Sequence, residues 1–478
     1  YIIQMDKKYK VLLLNPPSFD VVTMEREDIS FDDYGRYAPL GLLYIATYLR
    51  DSGLDVDIKV IDSNVMDWGW EDYELYLREE KPDLIGLGSF TPSIFDAHRT
   101  LELIKKCLPE STTVMGGVHA TLYPKETLSN SYTDIVIAGE AEISFKELVE
   151  AIINKKTTFD QIDGVSYKNN GKLIVSKSKA VVMDLDLLPP PDRTFLPYEK
   201  YTCVIGKEGI LATVMSSRGC PHECTYCNSP SSGYRYRSPM NIIKELEQVQ
   251  ALGISEVLFF DDMFNLKKKN VYELCELMKE RNMTINWSFR GTIKGIDDNF
   301  LKIVKSAGCE RIQFGVESSS DELLKKLKKN LTVKAIREAI RLCKKNKITT
   351  VGNFLIGLPD DTEKTIKGTF AFAESLPLDF VQYSVLIPYP FTEIYEVGIK
   401  DGLISHDYWR EFAEAPFSGF EPQIFETNVK RDRLYELMKI GFKSFYFRPV
   451  YVFRSILKTR NFTEFKKRLS GLRTLMRL

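Results

Sequence analysis

The sequence predicts an α/β protein with two successive series of parallel strands and a helical C-terminal region. Three observations support this prediction. Short apolar runs alternate with amphipathic segments from about residue 9 to 150, and the same alternation returns from about 212 to 400. A less regular, Pro-containing stretch separates the two series. After residue 400 the pattern becomes helical, aromatic and basic.

The first series predicts a doubly wound, Rossmann-like domain over residues 9–155. Its strand candidates are Lys10–Leu14, Val56–Ile61, Leu84–Gly88, Thr113–Met115 and Ile135–Ala138. The amphipathic segments between them include Leu40–Ser52, Ala97–Cys107 and Ser144–Asn154. Strands and helices that alternate at this spacing form a parallel sheet with helices on both faces. Such a sheet binds ligands at the carboxyl ends of its strands.

Residues 156–211 are expected to be a linker, because they hold only short β patterns and the run Pro189-Pro190-Pro191. The second series, over 212–400, predicts a partial (β/α)6 barrel of the TIM type, with its chemistry at the C-terminal strand ends. Its strand candidates are Ala212–Ser216, Glu256–Asp261, Asn286–Arg290, Arg311–Gly315, Thr350–Ile356 and Phe380–Leu386. Residues 401–478 then form the predicted helical, basic region.

Composition narrows the class of protein. The chain has 478 residues, with 65 Lys and Arg against 66 Asp and Glu, so the whole molecule is not expected to bind polyanions. No apolar run approaches the ~20 residues that span a bilayer, and the first residues lack the pattern of a secretory signal. The eight cysteines are too sparse for the disulfide framework of a small secreted protein. We therefore expect a cytoplasmic location.

Three of the cysteines stand close together. Cys220, Cys224 and Cys227 form a C-x3-C-x2-C pattern directly after a predicted strand. Three thiolates in one loop can hold three irons of a 4Fe–4S cubane and leave the fourth iron open for a substrate. A zinc site is the alternative. Structural zinc usually takes four ligands in two separated pairs, and the sequence has no second pair.

At Ser217–Asn228 the chain resembles the radical S-adenosylmethionine superfamily, and the resemblance continues through the predicted barrel. It implies that S-adenosylmethionine chelates the open iron. An electron from an external donor of the ferredoxin or flavodoxin type then cleaves a carbon–sulfur bond and yields a 5′-deoxyadenosyl radical. The barrel must exclude water and hold a substrate C–H bond close to that radical.

The resemblance also assigns residues at successive strand ends to S-adenosylmethionine. Asp262 is expected at its amino group, Arg290 at its carboxylate, Glu317 and Ser318 at its ribose and methionyl portion, and Tyr226, Gly357 and Pro359 near its adenine. Taken alone, each carboxylate would be a solvated or capping residue, and the Gly-Leu-Pro segment an ordinary turn. Their order after the cysteines, one set to each strand end, supports the functional interpretation.

The first 150 residues resemble the cobalamin-binding domain of the cobalamin-dependent, class B type of radical S-adenosylmethionine enzymes. The residues expected to contact cobalamin are Asn15, Pro16, Pro17, Leu40, Gly41, Ser89, Thr91, Gly116, Gly117, His119, Gly139 and Glu140. Small residues and prolines at strand ends let the backbone approach a flat corrin ring. The alternative is a degenerate domain of the same fold that only docks a substrate or partner.

The chain lacks D-x-H-x-x-G, the signature of proteins that ligate cobalt through histidine. The resembling branch also holds cobalamin without a histidine ligand. His119 is therefore expected to contact the nucleotide tail or to be structural. Methylthiotransferases of the superfamily carry a second cysteine cluster in their first domain. That branch is disfavoured, because only Cys107 precedes residue 200.

The C-terminal residues 438–478 hold eleven Lys and Arg against one acid, Glu464. Phe462, Phe465, Leu469 and Leu472 recur at helical spacing within them. This pattern fits a helical layer that caps the barrel, and its charge also suits an anionic membrane surface. We see no RNA-binding module and expect no nucleic-acid partner. Similar tails occur in family members that act on polycyclic or isoprenoid lipids.

Three functions follow as hypotheses. The first is a C-methyltransferase that uses cobalamin to methylate an unactivated carbon of a lipid or other hydrophobic small molecule, with peripheral membrane contact through residues 438–478. The second uses the same cofactors for cyclisation, rearrangement or oxidation without methyl transfer. The third, a metal-binding protein without catalysis, is disfavoured by the series of motifs at the strand ends.

Overall fold

The computed structural model describes residues 8–22, 35–203, 209–228 and 233–457, with side chains up to residue 453. The chain divides into two compact units. The first comprises residues 38–201 and 408–421 with the described part of 1–23. The second comprises residues 202–407 and those from 422 onward, with the described part of 24–37.

The first unit is built on a seven-stranded sheet. Its strands are β1 (Tyr9–Asn15), β2 (Val56–Asp62), β3 (Leu84–Gly88), β4 (Thr112–Gly116), β5 (Ile135–Ile137), β6 (Val165–Asn169) and β7 (Lys172–Ile174). They lie in the order β2-β1-β3-β4-β5-β6-β7. The first five strands pair in parallel, as predicted, and β6 and β7 add an antiparallel edge. These two strands come from the stretch expected to be linker.

Helices cover this sheet and bury its apolar residues. They are α1 (Leu40–Asp51), α2 (Ser63–Met66), α3 (Trp70–Glu80), α4 (Ile94–Cys107), α5 (Gly117–Leu122), α6 (Pro124–Ser129) and α7 (Ala141–Ile153). Leu13 of β1 and Phe145 of α7 belong to one buried core. Gly86 of β3 allows this packing, because a Cβ there would lie 2.9 Å from a methyl carbon of Leu13.

The second unit carries a six-stranded parallel sheet and a short antiparallel pair. Its strands are β8 (Leu211–Val214), β9 (Ser217–Arg218), β10 (Arg235–Tyr236), β11 (Glu256–Phe259), β12 (Asn286–Gly291), β13 (Cys309–Glu317), β14 (Thr349–Ile356) and β15 (Phe380–Val385). The large sheet has the order β15-β14-β13-β12-β11-β8. Each strand is a neighbour of the preceding one in the series, as in a partial (β/α)6 barrel.

Helices lie between these strands and after the last of them. They are α8 (Pro239–Ala251), α9 (Lys268–Glu280), α10 (Asp298–Ser306), α11 (Asp321–Lys326), α12 (Val333–Lys345), α13 (Glu363–Ser375), α14 (Glu393–Lys400), α15 (Tyr408–Glu414), α16 (Arg431–Tyr446) and α17 (Pro449–Leu457). One of the later ones, α15, belongs to the first unit. At the start of six of these helices a side-chain oxygen accepts a backbone hydrogen bond; the residues are Ser238, Asp297, Ser320, Thr332, Thr362 and Thr392. Such caps fix where each helix begins.

One face of the large sheet packs against helices. Phe289 of β12 lies edge-on to Phe300 of α10, with ring centroids 6.4 Å apart. Tyr383 of β15 contacts Phe370 of α13 and Phe442 of α16. Because successive side chains of a strand point to opposite faces, the residues next to Phe289 and Tyr383 point away from these helices.

The described part of the C-terminal region contributes to both units. Helix α15 belongs to the first, where Arg410 donates to Glu126 at 2.8 Å. Helix α16 belongs to the second, where the Tyr446 hydroxyl donates to the Val381 carbonyl oxygen at 2.9 Å. Within the described ranges no helix is long and apolar enough to cross a membrane.

Candidate functional site

The three cysteines lie in one loop whose ends are joined by β9 and β10. Gly219 begins the loop with φ of 81°, and a Cβ there would lie 2.3 Å from the Gly233 carbonyl oxygen. Only glycine therefore fits this turn. The Cys227 amide donates to the Cys224 carbonyl oxygen at 3.0 Å, which closes a tight turn between the last two cysteines.

All three thiols are unbridged and their chemistry fits a cubane. Burial raises the pKa of Cys220 and Cys224, and other thiols of the loop add to this rise. Among the described residues, no three His, Cys, Asp or Glu side chains converge on one metal position. A cubane does not require such convergence, because each thiolate binds a different iron.

A polar network that consists of buried Glu317 and half-buried Tyr226 and Lys329 lies beside this loop. The Tyr226 hydroxyl donates to Glu317 Oε1 at 2.9 Å, and Lys329 Nζ donates to the same oxygen at 2.7 Å. Burial lowers the pKa of Lys329, but the Glu317 carboxylate more than offsets this and the net pKa is raised. Burial, followed by Glu317, raises the pKa of Tyr226. The network therefore contains a neutral phenol and a charged Glu–Lys pair.

Unusual backbone geometry places the two charges. Glu317 has φ of 66°, and the pairing of β13 with β14 shifts register between Gly315 and Glu317. A Cβ on Gly315 would lie 2.3 Å from Glu317 Oε1. Lys329 stands between Lys328 and Asn330, with φ of 54° and 51°. Strain and bulges of this kind are typical of functional sites, where they aim a side chain.

Two residues near the cysteine loop and the strand ends, Lys329 and Asn265, were not predicted from the sequence. Lys329 lies in a run of lysines that resembles a solvated helix end, and nothing in the run distinguishes it. Asn265 is buried and exchanges two hydrogen bonds of 2.9 Å with the backbone of Thr292. It ties the segment after β11 to the end of β12. Its position three residues after Asp262 was the only available signal.

The two adjacent aspartates after β11 have different roles. Asp261 is buried and accepts hydrogen bonds from the Ser216 amide and from the hydroxyls of Ser216 and Ser217. Burial raises the pKa of Asp261 to about 6. Asp262 is exposed and acts electrostatically on Cys220. Asp262, the residue predicted from the sequence, is therefore the exposed one of the two aspartates.

Arg290, the last residue but one of β12, has one unsatisfied nitrogen in its guanidinium group. Its central carbon lies 4.1 Å from the centroid of the Phe260 ring. Its Nε is buried and has no hydrogen-bond partner in the described structure. Burial lowers the pKa of Arg290. Because buried donors are normally paired, this orphaned N–H fits an anionic group such as the carboxylate of S-adenosylmethionine.

The remaining predicted residues of the second unit have local partners. Ser318 accepts a hydrogen bond from the Ser320 amide at 3.2 Å. Gly357 has φ of 78°, which a side chain would strain. The Pro359 carbonyl oxygen accepts from the Thr427 hydroxyl at 2.6 Å. Ser318 and Pro359 therefore already make hydrogen bonds within the protein.

In the first unit, the predicted cobalamin contacts lie at strand ends and at the start of α1. Asn15 ends β1, and Pro16 and Pro17 follow it; Ser89 and Thr91 follow β3. Gly116 ends β4, and Gly117 and His119 follow it; Gly139 and Glu140 follow β5, and Leu40 and Gly41 begin α1. Asn15 is held in place, since its amide donates to Asp62 at 2.8 Å. Gly41 is exposed, and the space that a Cβ would occupy there is open.

Two glycines leave bare backbone at these strand ends. Gly117 has φ of 89°, and a Cβ there would lie 2.8 Å from the Ser89 carbonyl oxygen. Gly139 has φ of 101°, and a Cβ would lie 2.2 Å from the Ala180 carbonyl oxygen. The Glu140 amide donates to the same Ala180 oxygen at 2.8 Å. Such close turns fit a flat ligand that packs against backbone.

His119 lies entirely inside the first unit. Its Nδ1 is 3.3 Å from the Thr91 hydroxyl, its ring packs on Tyr123, and its Nε2 has no partner among the described residues. Burial, followed by His98, lowers the pKa of His119 to about 3, so the imidazole is neutral. The Ser89 hydroxyl is likewise buried without a partner. This burial favours a structural His119 over a cobalt ligand.

Comparisons with known proteins agree with this architecture. A model described as the radical SAM superfamily matches residues 214–373, and one described as the B12 binding domain matches residues 31–149. The uncharacterized methyltransferase PH0819 of Pyrococcus horikoshii is 30% identical over 98% of both chains. The anaerobic magnesium-protoporphyrin IX monomethyl ester cyclase of Rubrivivax gelatinosus is 28% identical over 77% of this chain and 67% of its own.

A solved structure shares the fold. It is the cobalamin-dependent S-adenosylmethionine radical enzyme OxsB with aqua-cobalamin and S-adenosylmethionine bound, at a TM-score of 0.72 and 19% identity, over 98% of this chain and 71% of OxsB. The match to PH0819 spans nearly the whole of both chains, and both domain models match in the predicted order. The chain therefore belongs to the cobalamin-dependent radical S-adenosylmethionine enzyme family.

Proposed function

We propose that the protein is a C-methyltransferase that methylates an unactivated carbon, using a 4Fe–4S cluster, S-adenosylmethionine and cobalamin. The near full-length similarity to a methyltransferase carries this proposal. The three cysteines, none of them in a disulfide, and the charged network beside them support the cluster and S-adenosylmethionine. When bound, these cofactors supply a carbon-centred radical and a methyl group. An external ferredoxin or flavodoxin type of donor would supply the electron.

In this proposal the side chains of the second unit bind and orient S-adenosylmethionine. Cys220, Cys224 and Cys227 would hold the cluster. Arg290 would pair with the carboxylate of the cofactor and Asp262 with its ammonium group, which satisfies the buried Arg290 Nε. Tyr226 and Lys329 hold Glu317 Oε1, which leaves its other oxygen to accept a hydrogen bond from the ribose.

In the first unit, backbone at the ends of the parallel strands would hold cobalamin. Gly117 is exposed and Gly139 half-buried, so their main chain would be accessible to the ligand. His119 would support this surface through Thr91 without ligating cobalt. A Gly139→Val variant should lose bound cobalamin, because its Cβ would collide with the Ala180 backbone.

Product mass after incubation with S-[methyl-²H₃]adenosylmethionine tests methyl transfer. The proposal predicts a product that carries one deuterated methyl group, and none with Cys227→Ala. Cyclisation or oxidation is the second candidate, favoured by the similarity to the Rubrivivax cyclase. It predicts 5′-deoxyadenosine and a product without deuterium, which would contradict methyl transfer and keep the radical chemistry.

We further propose that the substrate is a lipid or other hydrophobic molecule, reached at a membrane surface. Val450 and Phe453 are 60% and 64% exposed on α17, whereas Tyr451 turns inward and donates to the Asp379 carbonyl oxygen. An apolar face near basic residues suits an anionic interface. Residues 458–478, with most of the predicted basic stripe, lie outside the described ranges.

Vesicle flotation tests membrane contact. Because α16 packs on β15 through Tyr446, a deletion from residue 438 would damage the barrel, and removal of 458–478 alone is the sharper variant. We expect the full chain to float with anionic phosphatidylglycerol vesicles and less with zwitterionic ones. Val450→Ser with Phe453→Ser, or the deletion, should weaken flotation. No binding by the full chain to anionic vesicles would contradict membrane contact.

A further inference from the structure

Three amides form a polar band on the face of the large sheet that points away from the helices. Gln313 of β13, Asn353 of β14 and Gln382 of β15 lie on adjacent strands, and we call them the amide band. Gln313 Nε2 donates to Asn353 Oδ1 at 3.1 Å. Asn353 is directly opposite Gln382 in the strand register. The band is therefore continuous across three strands.

The aromatic residues next to these amides in the strands show to which face of the sheet the amides point. Phe354 and Tyr383, each one residue further along its strand, pack on one another and on α13 and α16 through Phe370 and Phe442. Alternation along a strand then turns Asn353 and Gln382 to the opposite, inner face of the partial barrel.

The band lies next to the residues assigned to S-adenosylmethionine. Arg290 of β12 is opposite Gln313 in the register, so the amides continue the row that Arg290 begins. All three amides are only partly buried, and Ser384, two residues beyond Gln382, is exposed. In the described structure Gln382 makes no side-chain hydrogen bond. The inner face thus offers free donors and acceptors beside the proposed radical site.

An inner face of this kind does not suit a hydrocarbon. Amides covered by an apolar ligand would lose their water without gaining a partner, which is unfavourable. A charged ligand would need a counter-charge, and none of the three amides supplies one. Hydroxyl and carboxamide groups can both donate and accept, as the amides do. Sites built to hydrogen-bond a substrate strongly reject analogues that lack those groups.

We propose that the amide band binds the polar part of the substrate through uncharged hydroxyl or carboxamide groups. This inference rests on the proposed function, in which a substrate enters the barrel, and it narrows the substrate class. The substrate is an amphiphile whose polar portion lies near the reacting carbon. A lipid made only of hydrocarbon does not fit the barrel.

The first test measures 5′-deoxyadenosine formed by the reduced, reconstituted holoenzyme with S-adenosylmethionine. The probes are three fractions of a microbial extract: neutral hydrocarbons, hydroxyl- or amide-bearing amphiphiles, and water-soluble metabolites. We expect the amphiphile fraction to stimulate turnover. Asn353→Leu and Gln382→Leu should each reduce that stimulation about tenfold or more. Gln248→Leu, the same change at an exposed position on α8, should keep it.

The proposal is overturned if only the hydrocarbons or only the water-soluble metabolites stimulate turnover. It is also overturned if both variants of the amide band are stimulated as strongly as the wild type. Methyl transfer is measured separately, from the label in the product. If a fraction stimulates turnover but its product lacks the labelled methyl group, the proposed function is wrong and the proposed substrate class is still supported.

A second measurement decides the question even if no fraction stimulates turnover. If the Gln382 side chain serves to bind a ligand, Gln382→Leu removes no hydrogen bond within the protein. The melting temperature of this variant should then equal or exceed that of the wild type. A clearly lower melting temperature would mean that the amide serves the fold, which overturns the proposal. Gln248→Leu again provides the baseline.

Discussion

At the scale of single residues, the site depends on a few side chains held in uncommon backbone conformations. Glu317 adopts a left-handed φ at a register shift, and this turns its carboxylate toward Tyr226 and Lys329. Its local strain is offset by two hydrogen bonds, of which the one from Lys329 is also an ion pair. The site therefore depends on Lys329 as much as on Glu317, although only Glu317 stands in a motif.

Loss of the Lys329 charge should destabilise the second unit. In Lys329→Met the Glu317 carboxylate stays buried without its partner, which typically costs about 3–5 kcal/mol. Urea unfolding measures the change. The double variant Lys329→Met with Glu317→Gln should recover part of the loss, because no buried charge remains. Equal stability of Lys329→Met and the wild type would contradict the described ion pair.

Acid should weaken the first unit through His119. The pKa of His119 is about 3 in the fold because of burial, below the ordinary value of about 6.5 in an unfolded chain. The unfolded chain binds a proton first as pH falls, so stability decreases between about pH 6.5 and 3. Between pH 7 and 5 we expect His119 to account for about 2 kcal/mol of lost stability.

Urea unfolding of the wild type and His119→Phe at the two pH values checks this. The variant should lose less stability on acidification, whatever its stability at pH 7. An identical loss in both proteins would show that His119 is not held neutral.

Single residues were also where sequence reasoning was least complete. The cysteine triad was visible because its spacing alone specifies the chemistry. Lys329 could not be predicted, because it lies in a run of lysines and pairs with Glu317 only after the loop that follows α11 has folded. The amide band could have been found, because Gln313, Asn353 and Gln382 alternate with aromatic residues in strands otherwise rich in apolar residues.

At the scale of helices and strands, the sequence predicted the regular core well. All eleven expected parallel strands are present, and their ends differ from the expected ones by at most two residues. The stretch from residue 156 was harder to interpret. β6 and β7 are short and β7 is mostly exposed, and only the pairing of β6 with β5 and of β7 with β6 makes them part of the sheet. Likewise, no local pattern assigns α15 to the first unit.

Glycine substitutions test how α16 packs on the barrel. A Cβ on Gly441 would lie 2.6 Å from the Phe370 ring of α13, so Gly441→Ala should cost about 1–3 kcal/mol through overpacking. Gly368→Ala is the matched control, since Gly368 is exposed on α13 and has only an ordinary contact at 3.7 Å.

The control should gain about 0.5–1 kcal/mol from helix propensity. Thermal unfolding of both variants gives the comparison. Equal shifts of the same sign would refute the described contact between α16 and α13.

At the scale of the whole molecule, two units with different chemistry share one chain. Motifs in the sequence identified both cofactor types, and the comparisons with known proteins support the family. The domain bounds at 155, 211 and 400 remain predictions. The substrate could not be read from motifs, because it depends on side chains that meet only when the sheet forms.

The most direct test of the account is the metal content of anaerobically purified, cluster-reconstituted protein after incubation with hydroxocobalamin and desalting. We predict about four irons and one cobalt per chain, with the absorption of both cofactors. Cys227→Ala should lose most iron and keep cobalt, whereas Cys107→Ala should keep both. Iron without cobalt would contradict the role of the first unit, and cobalt without iron would contradict the cysteine loop as a cluster site.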